Sequence, residues 1–382
     1  MKPFRKKLVI VNQDVGYLFI DLANAALGHY DQVVLISGSI VELGSGLDDR
    51  VETQSMIRYR RHSVVSRFFS WILGTLHVAW LLSTRYRRHD VLAASNPPLN
   101  SLLPLIIRNR IGLYVLDLYP EALYQTGMLA KKSPVVRSWS RLNKWAYRRL
   151  DTIWALTPSM RSMIERHYGV EVGFAPAWAS QMQDKPDRTV VEKLGLAGRW
   201  VVLYSGNLGR EHDVEVLLEC ASKLRAHDQI LFVIAGEGWK KKVLAERADL
   251  EALANVMLLP KMPSGEFASL LSEAKVGVVT QSLRTADVCI PSKTFNLLSV
   301  GVPILGIGNP DSDFGDLINT SGSGRVFKPD QVDEICQFIL SCWDDEEFLH
   351  GLQCRARLSA GSFTSKNAMR LVEEFVGEVS NA

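Results

Sequence analysis

Disulfide and zinc signatures are missing from this 382-residue chain. Its five cysteines (Cys220, Cys289, Cys336, Cys342 and Cys354) all fall in the second half and include no C-x-x-C pair. An odd number at irregular spacing gives neither a disulfide framework nor a metal site, and fits a reducing compartment. The G-x-G-x-x-G dinucleotide fingerprint is absent, which disfavours NAD. No D-x-D metal motif stands in a convincing place. The first apolar run, Leu8 to Val11, breaks at Asn12-Gln13-Asp14 and is too short for a signal peptide. There is also no low-complexity segment and no short-period repeat.

What is present is a globular composition, 47% apolar and 22% charged, long enough for two ordinary domains. The net charge of +3 hides an asymmetry: residues 1–180 hold 23 Lys/Arg against 13 Asp/Glu, and residues 181–382 hold 21 against 28. A basic first half beside an acidic second half points to different partners for each. Lys7 to Val11 reads as a strand, Asn12 to Gly16 as a turn, Tyr17 to Leu27 as a helix and Gln32 to Ile36 as a strand. This is the βαβ opening of a doubly wound parallel sheet. Strands at Asp90–Ala94, Gly112–Leu116 and Thr152–Leu156 continue it. A helix is expected to start at Leu102, and a long basic one spans Ser133 to Leu150. Asp117 ends a strand, where carboxylates face the ligand crevice of such folds; it is a base, a sugar-hydroxyl ligand or an N-cap. Ala175 to Arg188 reads as a linker. A second βα series follows, with strands at Trp200–Tyr204, Ile230–Ile234, Val256–Leu259 and Val276–Val279. The expected architecture is α/β, with two doubly wound parallel-sheet (Rossmann-like) domains, 1–180 and 181–363, facing across a cleft. A C-terminal helix within 364–382 is able to cross back to the first domain.

Arg58 to His89 is unusual. Arginines flank an apolar, aromatic block from Phe68 to Leu82, and no acidic residue interrupts the stretch. The block is about 15 residues, short of the roughly 20 that span a bilayer. Rings and guanidinium groups in this order suit a membrane interface, with Trp71 and Trp80 at headgroup level and Arg85, Arg87 and Arg88 on anionic lipid. A helix buried against the sheet is the competing reading. Nucleic acid is disfavoured, because the basic residues bracket an apolar block and do not line a groove.

The second half centres on Asp287-Val-Cys-Ile-Pro-Ser-Lys-Thr-Phe-Asn-Leu-Leu-Ser-Val-Gly-Val-Pro303. Pro291 excludes a helix interior, Ser292 is a suitable N-cap, and Phe295 and Leu298 give the following helix a buried face. Gly301 ends it before a buried strand. The first-turn N–H groups, the Ser292 hydroxyl and the Lys293 ammonium then converge on one spot, which suits a diphosphate. The bland alternative is an ordinary capped helix.

The runs Leu203-Tyr-Ser-Gly-Asn-Leu-Gly-Arg210, Ile234-Ala-Gly-Glu-Gly238, Leu259-Pro-Lys-Met-Pro263, Pro291-Ser-Lys-Thr-Phe-Asn296 and Pro310-Asp-Ser-Asp-Phe-Gly-Asp-Leu-Ile318 resemble the donor domain of bacterial family 4 glycosyltransferases, of GT-B fold. Asp117-Leu-Tyr-Pro-Glu121 and Pro176-Ala-Trp178 are similar to first-domain landmarks of the branch that builds cell-surface polysaccharides. The resemblance implies that Gly206 and its turn admit the donor diphosphate, and that Ser292, Lys293 and Thr294 hold phosphate or sugar groups. It places Asn296 where most members have a ribose-binding glutamate, and Asp287 beside the partner position. Asp117 takes the place of a histidine facing the reacting sugar. Many relatives have Arg and Lys where this chain has Asn207 and His212, and Arg210 is the nearest replacement. Gly16, in the first strand–helix turn, is counted with the donor contacts.

The resemblance further implies retention of anomeric configuration. No carboxylate nucleophile is evident for a covalent route. A front-face displacement, with the leaving diphosphate accepting the acceptor's proton, is the alternative. The expected partners are a nucleotide-sugar donor (UDP by default), a lipid-linked (polyprenyl diphosphate) saccharide acceptor and the inner-membrane surface. No cofactor and no metal are expected, and the location is cytoplasmic, peripheral to the inner membrane. Two other readings are a nucleotide-sugar epimerase of the same fold and a non-catalytic partner.

Overall fold

The computed structural model describes residues 6–377 except 43, 45, 61–62, 181–184, 285 and 287–288. The chain divides into two compact units. One is drawn from Met1–Gln181, Asp287–Cys289 and Ser365–Ala382, the other from Met182–Ala286 and Ile290–Thr364.

The first unit is built on strands β1 (Lys7–Val11), β2 (Gln32–Ser37), β3 (Glu52–Ser55), β4 (Asp90–Ala94), β5 (Ile111–Val115), β6 (Thr152–Ala155) and β7 (Gly173–Phe174). Their spatial order is β3-β2-β1-β4-β5-β6-β7, all parallel. A short pairing of Asp14–Val15 with Ser39–Ile40 extends the loops. Central strands such as Leu8-Val-Ile-Val11 are wholly buried, because helices cover both faces of a parallel sheet. The edge strands β3 and β7 are not among the expected elements; Glu-Thr-Gln-Ser in β3 is mostly exposed and carries no apolar alternation. The chain after β4 forms a 3-10 helix, Pro98–Leu105, where an α-helix from Leu102 is expected; Pro104 within it disfavours α-helical continuation. Helix Lys366–Gly377 packs against helix Tyr17–Ala26, and Phe375 meets Trp154 edge-on with centroids 5.9 Å apart.

The second unit repeats the plan with β8 (Trp200–Ser205), β9 (Ile230–Ala235), β10 (Val256–Leu259), β11 (Ala274–Thr280), β12 (Ile304–Ile307) and β13 (Gly324–Phe327). Their order is β10-β9-β8-β11-β12-β13. Strand alternation feeds two cores: Trp200, Val202 and Tyr204 face one layer, while Val201 and Leu203 face Leu297 and Leu298 in the other. The order reverses between β8 and β11, so the C-terminal ends of these strands open a crevice where ligands bind in doubly wound sheets. Helix Lys293–Val300 begins after β11, with Phe295 and Leu298 buried as its spacing requires.

Candidate active site

In the second unit β8 and β9 run in register to Ser205 and Ala235, so the turns after them lie side by side. The Gly206 amide donates to Ala235 O at 2.9 Å, and the Leu208 amide to Glu237 O at 2.9 Å. Gly206 has φ +156°, and a Cβ there would sit 2.2 Å from Lys293 Nζ. Gly238 has φ +154°, and its Cβ would sit 2.5 Å from the Leu208 backbone. Only glycine permits both this conformation and this approach. The turn therefore has a bare backbone with an ammonium behind it.

That ammonium belongs to Lys293, the first residue of its helix. Nζ donates to Tyr204 Oη at 3.0 Å and lies 4.2 Å from the ring centroid, while Tyr204 Oη donates to Asn207 O at 2.7 Å. Lys293 forms no salt bridge with a described residue, and burial draws its pKa down to about 8. A desolvated cation without a carboxylate, beside a glycine turn and a helix N-terminus, is arranged to receive an anion. A small cavity next to it is lined by Ser205, Phe267, Asn296 and Leu297 among others, which places Asn296 at the same site.

The remaining second-unit candidates fall into three groups. Arg210 is exposed and stacks its guanidinium 4.5 Å from the ring centroid of Trp239, itself 60% exposed. His212 is not a second cation. Its Nδ1 pairs with Thr280 Oγ1 at 2.9 Å, and burial first, then Lys293 and Lys240, push its pKa down. Lys240 is committed elsewhere, to Glu215 at 2.8 Å and to His212 O at 2.6 Å. Asn207 is exposed in the turn and contributes its carbonyl to Tyr204. Thr294 is fully buried, with Oγ1 unpartnered among the described residues. Ser292 requires a correction: it precedes the helix but has helical dihedrals (φ −58°, ψ −24°), and its hydroxyl makes no capping bond. A capping serine needs extended dihedrals to turn its oxygen onto the first-turn amides, so this hydroxyl stays exposed. Asp287 lies outside the described residues.

Residues 187–358 match the family described as Glycosyl transferases group 1. The chain carries a glycosyl transferases group 1 domain. The chain is similar to WbjE of Pseudomonas aeruginosa, named a glycosyltransferase, at 24% identity over 302 residues, 74% of this chain and 75% of WbjE. It is also similar to WcaI of Escherichia coli, named as a colanic acid biosynthesis glycosyl transferase, at 26% over 245 residues, 61% of this chain and 60% of WcaI. Among solved structures it superposes on WaaG, a glycosyltransferase involved in lipopolysaccharide biosynthesis. The TM-score is 0.71 at 13% identity, covering 97% of this chain and all of WaaG. HepE of Anabaena in complex with UDP gives a TM-score of 0.72 at 13% identity, covering 97% and 99%. Two Rossmann-like units in this pattern are the GT-B fold, and the glycosyl transferases group 1 domain makes the chain a transferase enzyme.

The first unit of this glycosyltransferase holds the other candidates. Asp117 follows β5, and its amide donates to Ser95 Oγ at 3.0 Å. Its side chain is solvent-accessible although protein atoms crowd it. Crowding by those atoms raises its carboxyl pKa. Gly16 caps helix Tyr17–Ala26 in extended conformation with nothing near a hypothetical Cβ, so neither backbone strain nor close packing demands glycine there. Trp71 also requires a correction. It is 3% exposed and packs against Tyr59, Phe68 and Tyr119. It is a core residue, because it points to the same side of helix Val64–Thr84 as Val78 and Leu82. Trp80 is 61% exposed, on a stripe with Val65, Phe69, Ile72, Leu73 and Leu76. Arg85, Arg87 and Arg88 are exposed just beyond; Arg85 donates to Gln54 Oε1 at 2.9 Å. The segment Val65–Thr84 is long and apolar enough by length and composition to cross a membrane, longer than the apolar block suggests, and 44% of it is buried within the protein.

Tyr204, Thr280 and Trp239 join the site although no sequence motif assigns them a role. Each touches an expected site residue (Lys293, His212 and Arg210), but the contact runs between strands or turns far apart in sequence. The sequence signal nearest to them is Gly236-Glu-Gly238, two glycines closing a buried strand.

Proposed function

We propose that this chain is a retaining family 4 glycosyltransferase that moves a sugar from a UDP-linked donor to a lipid-linked saccharide in surface-polysaccharide synthesis. The observation that carries the donor reading is Lys293, a desolvated ammonium with no carboxylate partner among the described residues, beneath the Gly206 turn. HepE, of like fold, is in complex with UDP, and the names of WcaI and WaaG refer to surface-saccharide synthesis. As the sugar–phosphate bond breaks, negative charge grows on the diphosphate. Lys293, the helix N–H groups and Arg210 would stabilise that charge where it develops. A leaving phosphate oxygen would take the proton of the attacking hydroxyl on the same face, which yields retention without a carboxylate nucleophile. Asp117 would orient the sugar or the acceptor hydroxyl. Donor binding would need no metal, since the fixed cations replace it.

The acceptor reading rests on the surface of the first unit. The Val65-to-Trp80 stripe is apolar and exposed, and Arg85, Arg87 and Arg88 follow it, the composition of a segment that lies in a membrane interface. This fits a peripheral enzyme on the cytoplasmic face, where polyprenyl-linked saccharides are elongated.

The test is a thermal-shift screen of UDP, GDP, ADP and dTDP in EDTA and in magnesium, followed by transfer of labelled sugar into an organic-soluble lipid acceptor. A rise in melting temperature with UDP that is equal in both buffers supports the donor site. No rise with any nucleotide overturns it, and a rise confined to magnesium overturns the metal-free part. Label that stays water-soluble with every acceptor lipid sinks the acceptor reading.

A further inference from the structure

The first unit contains a groove to which the proposed function assigns no role. It lies between helix Pro134–Tyr147 and helix Pro158–Tyr168, with a volume of about 1000 Å³ counting its solvent-filled mouth. Five cationic side chains line it: Arg137, Arg141 and Lys144 from the first helix, Arg166 from the second, and Lys131 from the preceding loop. Not one of these five forms an ion pair with a described residue. Lys131 rests over the Tyr124 ring at 5.3 Å, and Arg166 Nε donates to the carbonyl of Ser162 at 3.1 Å. Among the described residues one carboxylate lines the groove, Glu121, which is 2% exposed and already engaged by Tyr168 Oη and His167 Nδ1, each 3.2 Å from Oε1. It anchors the floor and leaves the cations above it uncompensated. Such a concentration of like charge around one concavity raises the local positive potential and favours an anion there.

The same helix indicates what that anion is attached to. Arg137, Arg141 and Lys144 follow i, i+4, i+7 spacing and define one flank of its exposed surface. On the other flank Val135, Leu142 and Trp145 are 56%, 39% and 64% exposed. Ile106, at the end of the 3-10 helix that packs on this helix, is 56% exposed as well. That 3-10 helix also packs on Val64–Thr84, whose apolar stripe is described above. A surface on which apolar side chains lead directly to a cationic recess fits a lipid whose chains stay in the bilayer while its phosphate enters the groove.

We propose that this groove is a binding site for the phosphate headgroup of an anionic membrane lipid, separate from the nucleotide site. It rests on the membrane reading given under Proposed function and adds to it a discrete, phosphate-selective pocket.

The experiment compares co-sedimentation of the full chain with phosphatidylcholine vesicles containing either phosphatidic acid or an equal charge of oleate. Wild type should favour the phosphatidic acid vesicles. The double variant Arg141→Gln/Lys144→Gln, at two exposed positions where glutamine keeps the helix, should lose that preference and on the order of tenfold in affinity. Its melting temperature serves as the folding control. If wild type binds both vesicles equally, or the variant keeps the preference, the pocket is overturned while the membrane reading stands. Failure of wild type to bind any vesicle overturns both. A melting-temperature rise with inorganic phosphate alone, without vesicle binding and lost in the variant, marks a soluble-anion site and overturns the lipid assignment.

Discussion

Lys293 carries two opposed consequences. Its burial costs stability in the free protein, because the ammonium is desolvated and its hydrogen bond goes to the neutral Tyr204 hydroxyl, with the Tyr204 ring beside it. The folded pKa near 8 lies below the ordinary lysine value of 10.5, so between these pH values the unfolded chain binds the extra proton. Stability contributed by this group therefore rises with pH across that window, and the penalty is fully present below about 8. Lys293→Met should raise the melting temperature of the free protein at pH 7, by an amount corresponding to about 1–3 kcal/mol, and abolish the UDP-induced rise. A lowered melting temperature with an intact UDP response would show that the ammonium is structural. The pH profile follows from the same group: UDP affinity measured by calorimetry should fall as pH rises through about 8, as the ammonium loses its proton. Affinity that is flat from pH 7 to 9 would remove Lys293 from the phosphate contacts. Arg210→Ala should weaken UDP by several-fold and leave the fold unchanged, because its side chain is exposed and stacked only on Trp239.

At the scale of single elements, helix Val64–Thr84 is apolar on two faces. Trp71 and Trp80 are nine residues apart and look equivalent in composition, yet one is core and the other is surface. Trp71→Ala should cost roughly 3–5 kcal/mol and appear as a lower melting temperature. Trp80→Ser should leave the melting temperature nearly unchanged and reduce vesicle binding; the reverse pattern would invert the assignment of the two faces. The same helix shows what can be read from sequence. Buried parallel strands such as Ile230–Ala235 announce themselves as continuous apolar runs, and the helix after Pro291 by its proline, glycine and spacing. Those signals position Lys293 at a helix start without a structure, and the resemblance to family 4 glycosyltransferases adds Gly206 and Asn296 to the same site. A helix that is apolar all round has no amphipathic phase, so its buried side is decided by packing alone, and Trp71 is misread. Edge strands Glu52–Ser55 and Gly173–Phe174 are hidden for the converse reason, being too polar or too short to leave a pattern. Lys293's hold on Tyr204 spans 89 residues and leaves no local trace.

For the whole molecule, the charge asymmetry between the halves would separate the two proposed binding activities. The first 180 residues carry ten more basic than acidic side chains, and the remainder seven more acidic than basic. Attraction of the basic half to anionic vesicles is long-ranged and should fall steeply as salt is raised from low to physiological strength. UDP binding at the desolvated Lys293 should change much less over the same range. Parallel titrations check this, and equal salt dependence would argue against two independent surfaces.

The closing helix, Lys366–Gly377, has a consequence for how the chain is made. Its Phe375 covers Trp154 and Gly112, and Arg110 reaches its backbone, so the last described residues finish the unit that was begun first. A ribosome releases the second unit complete while the first still has an open seam. Of the two units the first is thus the last to close, and its Trp154 surface stays exposed to chaperones or aggregation until this helix has left the ribosome. Stopping the chain after residue 364 should leave a nucleotide-responsive second unit attached to an incompletely folded first one.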